Sequence, residues 1–182
     1  MNYSLNKGIK KFKQRGCDAA KGEMLQLHDR ECWEPIKVDS MTPTEKAKAL
    51  ESLIFPVEKK SGTIKARHCA NGSKQRDWIR PEDAASPTVM TESVLLTAAI
   101  EAHENQDVAT WDIPNAFIQT AVEELDQDGD QIIMKIRGAM VDMLLEIDES
   151  YRDFLVFEKG QKVLCVHILR ATHEILMSGL LF

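Results

Sequence analysis

Asp112 lies in the run DVATWDIPNAF (residues 107–117), where Val108, Ala109 and Trp111 predict a short buried strand and Pro114 predicts the first position of a helical turn. A carboxylate at a strand end stands at the rim of a sheet, which suits a ligand for a hard divalent cation. The same position also suits a helix cap, the commoner role for a lone Asp before a Pro-started turn. Lys65 and Arg67 alternate with Ile64 and Ala66, so both cations are expected on one face of an extended segment. Two other groupings have less to offer. His28 and Cys32, with His68 and Cys69, could in principle meet at zinc, but adjacent ligands chelate poorly and the spacing matches no finger. The acidic run Asp126-Gln127-Asp128-Gly129-Asp130 misplaces its glycine for a calcium loop and reads as a solvated turn.

These residues need a scaffold, and the hydrophobic pattern supplies one of α+β class. Cys17, Ala20, Met24 and Leu27 predict an amphipathic helix over residues 18–29, followed by an extended piece at 33–38. Thr42-Pro43-Thr44-Glu45 is a helix start with Pro just inside. Residues 52–57 and 63–70, joined through Ser61-Gly62, predict the hairpin that carries Lys65 and Arg67. A loop leads to a helix capped by Thr91, with Val94, Leu95, Ala98, Ala99 and Ala102 on its apolar side. After the strand into Asp112 come a short helix at 114–120, a strand at 131–136 and a helix at 141–147. Paired strands at 153–157 and 162–166 then flank the Lys159-Gly160 turn. Residues 170–182 have helical character and end on Leu180-Leu181-Phe182, an oily end expected to self-associate or meet a partner.

Composition narrows the class. The 182 residues are 29% charged and 43% hydrophobic, with no run of the roughly 20 apolar residues that a membrane span needs. The basic, polar start lacks a secretory signal, so an intracellular location, cytoplasmic or nuclear, is expected, with the four cysteines reduced. The net charge of −6 conceals two basic stretches, around residues 7–15 and 59–80, and an acidic one over 101–153. Such polarity fits a protein that holds a polyanion on one part and a divalent cation near another.

Four segments in order then resemble the reverse transcriptase of Ty/copia-type retrotransposons, over about residue 25 to the C-terminus. LHDRECWEPI (27–36) is similar to the entry segment, GTIKARHCANGSKQ (62–75) to the fingers hairpin, ASPTVMTESVLL (85–96) to the linker and helix, and DVATWDIPNAFIQ (107–119) to palm motif A. The resemblance implies fingers and a partial palm of a right-hand polymerase: a basic segment at 1–17, a fingers-like region at 18–90 and a partial palm at 91–182. It implies Asp112 and the Ile113 carbonyl as Mg2+ ligands, Lys65 and Arg67 on a hairpin over the incoming triphosphate, and Phe117 against the sugar. An RNA template, a DNA primer and dNTPs are the implied partners, with no membrane. Departures matter as well. In the template and nucleotide segment His173, Glu174 and Met177 replace the family's Tyr, Gly and Gln, and no Tyr-x-Asp-Asp run occurs in the chain. Two-metal catalysis needs those further carboxylates, so the expectation is a truncated domain, inactive alone and holding Mg2+ poorly. The alternatives are a single-stranded nucleic-acid-binding fragment and a protein-interaction fragment.

Overall fold

A computed structural model of the chain describes residues 3–77, 79–80, 89–122, 131–171 and 175. Two helices open it, α1 (Leu5–Phe12) and α2 (Gln14–Asp29), broken by Lys13 at φ 51°. Ala20, Met24 and Leu27 are buried along α2, on the predicted apolar face; the helix starts four residues earlier than the periodicity suggested. Strand β1 (Trp33–Ile36) follows, then α3 (Pro43–Lys48). Thr42 and Glu45 form a reciprocal capping box at the start of α3: the Thr42 hydroxyl accepts from the Glu45 N–H, and the Glu45 carboxylate accepts from the Thr42 N–H at 2.7 Å.

The hairpin is present as β2 (Leu50–Glu58) and β3 (Ile64–Ala70). Helix α4 (Thr91–His103) comes next, then β4 (Ile133–Arg137), α5 (Ala139–Ile147), β5 (Val156–Glu158) and β6 (Gln161–Ile168). Strands from both halves of the chain share one mixed sheet, in the order β1-β6-β4-β2-β3, with β5 beside β6. All ladders are antiparallel except the short β2–β4 contact, Leu50 and Glu51 against Met134 and Lys135. Beyond that contact β2 leaves the main sheet and, among the described residues, has β3 as its strand neighbour.

Strand alternation divides the core. Met134, Ile136, Leu164, Val166 and Ile168 point to the face covered by α2 and α5, where Met24, Leu27, Val141 and Leu144 meet them. Ile133, Val163 and Cys165 point to the other face, against Met41 and Ala49. On that second face the Arg137 guanidinium donates to Glu51 (2.8 Å) and to Glu158 (2.8 Å), joining β2, β4 and β5. The Lys159-Gly160 turn is as expected: both residues have positive φ, 51° and 77°, which matches the right-handed twist of a two-residue hairpin.

Other expectations change. The strand predicted before Asp112 is irregular, with Trp111 89% exposed. Every described strand of the sheet lies elsewhere in the chain, and an extended segment with no ladder partner leaves its backbone groups to water, which holds it at the surface. Thr91 is the first residue of α4; Met90 occupies the cap without a side-chain bond, and no α4 side chain is buried. The turn at 114–120 is completed by a 3₁₀ helix, Phe117–Gln119, in place of an α-helix. Residues 149–154 form a 3₁₀ helix capped by the Asp148 side chain, which shortens the strand predicted from 153. The acidic run 126–130 and most of 170–182 lie outside the described residues; Ala171 and Ile175 are buried.

Candidate functional site

Three pieces of chain far apart in sequence converge on one cleft of about 710 Å3. One wall is α2, through Ala19, Gly22, Glu23 and Gln26. The floor is β3 from Ile64 to Arg67, with Lys59 beyond, and the far wall is the turn from Asp112 to Ala116. Lys65 and Arg67 are exposed, while Ala66 and His68 on the opposite face are buried. They share a face as the alternation predicts.

The register explains why the cleft lies along β3. Lys59 N–H donates to the Thr63 carbonyl (2.9 Å) and Asn71 N–H to the Glu51 carbonyl (2.8 Å), so odd-numbered residues between them face β2 with their backbone groups. Even-numbered residues, Ile64 to Ala70, turn theirs to the outer edge. Pro56 sits opposite Ala66 in a pair that exchanges no hydrogen bonds, which is why a proline is tolerated within β2. At the outer edge the His68 N–H donates to Glu23 Oε1 (3.1 Å), and α2 thereby covers part of the edge.

Asp112 is exposed and so is Ile113, whose side chain retains 50% of its accessible surface. Asn115 has φ 55°, which asparagine tolerates better than most residues, and the Gln119 side-chain amide donates to the Pro114 carbonyl (2.9 Å). This turn therefore carries Asp112 to the cleft mouth without the expected strand. Phe117 begins the 3₁₀ helix; its side chain, and His173, Glu174 and Met177, lie outside the described residues.

Among the described residues no three His, Cys, Asp or Glu side chains gather as a metal site. Asp112 with the Ile113 carbonyl supplies too few oxygen donors for two magnesium ions, so the donor set does not fit that centre. The zinc grouping is dispersed among other partners. His28 Nδ1 lies 2.9 Å from the Tyr151 hydroxyl, which also accepts from the Trp33 indole at 3.1 Å, and His68 Nε2 lies 2.8 Å from the Ser52 hydroxyl. Burial pushes the Cys32 thiol up to about 11 and raises Cys165, so both stay protonated and inert at neutral pH.

Sequence reasoning missed Arg15 and Glu23. The Arg15 guanidinium donates to the Gly62 carbonyl at the hairpin tip, as Glu23 accepts from His68 near the other end of β3. Polar positions on the outer side of an amphipathic helix read as solvent-facing, and only their shared face, eight residues apart, hints at a common neighbour. No helix among the described residues is long and apolar enough to cross a membrane. Comparison with known proteins returned no matching family model, no matching curated protein and no matching solved structure.

Proposed function

We propose that the cleft between α2, β3 and the Asp112 turn binds the polyphosphate of a nucleotide, in a reverse-transcriptase-like fingers and partial palm unit. What supports this reading is the meeting of Lys65 and Arg67 with Asp112 at one cleft, across a long separation in sequence. Further support is that the hairpin and the Asp112 turn both carry motifs that resemble the same enzyme family and both line this cleft. Arg67 offers a planar fork and Lys65 a mobile point charge, a pairing suited to adjacent phosphates.

Of the residues that the motif resemblance implies as metal ligands, Asp112 is the one carboxylate, and the sequence contains no Tyr-x-Asp-Asp run. By itself the chain is therefore a binder of nucleotide, without nucleotidyl transfer. The test is titration with dATP at low ionic strength. Each of Lys65→Ala and Arg67→Ala should weaken binding about threefold to tenfold, the range for a partly exposed charge-assisted contact. Unchanged affinity in the double variant removes the reading. A basic strand could also hold single-stranded nucleic acid; in that case an oligonucleotide would bind with a steep salt dependence and dATP would not.

A further inference from the structure

The hairpin that carries Lys65 and Arg67 is tied to α2 at both ends. At the tip, Gly62 has φ 79° and its carbonyl accepts from the Arg15 guanidinium. Near the far end of β3, the His68 N–H donates to Glu23 at 3.1 Å. Arg15 and Glu23 are two helical turns apart on one face of α2, the face that turns Ala19 and Gly22 toward the cleft. Arg15 and Glu23 are long enough to reach backbone of the hairpin from this face. Side-chain contacts to backbone fix position without depending on what the strand's own side chains do.

We infer that Arg15 and Glu23 are positioning residues: they staple the β2–β3 hairpin to α2 so that Lys65 and Arg67 stand over the cleft before any ligand arrives. Only the identity of the ligand rests on the nucleotide reading above. Among the described residues the hairpin beyond Glu51 has no strand neighbour on its outer side, so its position is set by core packing through Ile54, Ala66 and Ala70, by α1 against Pro56, and by these two bonds to α2. A fixed hairpin binds without the entropy cost of ordering it.

The experiment uses the whole chain and two readouts. Amide hydrogen exchange without ligand should show Lys65, Arg67 and Cys69 exchanging about tenfold faster in Glu23→Ala and in Arg15→Ala, with Leu164 and Val166 in β6 unchanged. Titration with sodium tripolyphosphate should give about threefold weaker binding for Glu23→Ala than for Glu23→Gln. Both variants lack the charge, so that difference isolates the acceptor that Gln retains. Glu23→Gln should restore slow exchange as well. Wild-type exchange in the alanine variants, or equal acceleration in β3 and β6, overturns the proposal. A local exchange response with no tripolyphosphate binding by the unmodified chain supports the staples and removes the phosphate reading.

Discussion

At Gly8, a buried residue, α1 lies tight against Pro56 of the hairpin. A Cβ built there would stand 2.6 Å from Pro56 Cγ and 2.9 Å from Pro56 Cβ, and a proline ring cannot swing aside. Alanine would gain about 0.5–1 kcal/mol of helix propensity, but the overpacking costs about 1–3 kcal/mol. Gly8→Ala should therefore lower stability in urea unfolding; a gain would mean that α1 does not seat on Pro56. Tyr151 is the second test at this scale. Its hydroxyl accepts from the buried Trp33 indole and lies beside His28, and burial raises its pKa. Removing it in Tyr151→Phe leaves the indole N–H without an acceptor, a loss of about 1–3 kcal/mol by chemical unfolding. Asp112 gives the electrostatic counterpart. Under the proposed polyphosphate reading, the Asp112 carboxylate at the cleft mouth repels the ligand when no cation intervenes, so Asp112→Asn should tighten tripolyphosphate binding in EDTA by roughly twofold to fivefold. An unchanged constant would place the ligand away from the Asp112 turn.

Arg137 acts between elements, joining β2, β4 and β5 through Glu51 and Glu158. The hydrogen bond from Arg137 is the main cause that holds the Glu158 carboxyl below its ordinary 4.5. A depressed carboxyl stabilises the fold fully above its unfolded value, and the contribution is lost as pH falls through the lower folded value. Below about pH 4.5 the wild type should thus lose stability that Arg137→Met has already lost, and the two unfolding curves should converge in acid. Parallel curves down to pH 3 would contradict this pairing. The same scale shows which elements could be read in advance. The α2 face, the α3 capping box, the Lys159-Gly160 turn and the β2–β3 hairpin are written locally, in spacing, caps and turn residues. The piece before Asp112 differs from expectation because Val108 and Trp111 have strand-forming character and Ala109 is apolar, whereas a strand also requires a neighbour, which local composition does not encode. The exposure of α4 was invisible for a related reason: an apolar stripe says that a helix can be buried, without saying what covers it.

For the molecule as a whole, the α+β mixed sheet brings a basic edge strand and an acidic turn to one cleft, and the site was legible in proportion to how local its parts are. Lys65, Arg67 and Asp112, singled out by the motif resemblance, line the candidate cleft. Arg15 and Glu23 could not be singled out in advance, because their partners are backbone groups of another element. Under the proposed reading, Asp112 is the one carboxylate that the motif resemblance places in the cleft, which sets the expected limit on chemistry: primer extension with an RNA template, Mg2+ and dNTPs should yield no product from this chain alone, and extension abolished by Asp112→Asn would contradict that limit. The most direct measurement of the central claim is a residue-resolved amide NMR titration with dATP. Shifts should concentrate at Ile64–Arg67 and at Asp112–Ala116, two segments that this cleft unites. Shifts confined to one segment, or centred on another surface, would contradict it.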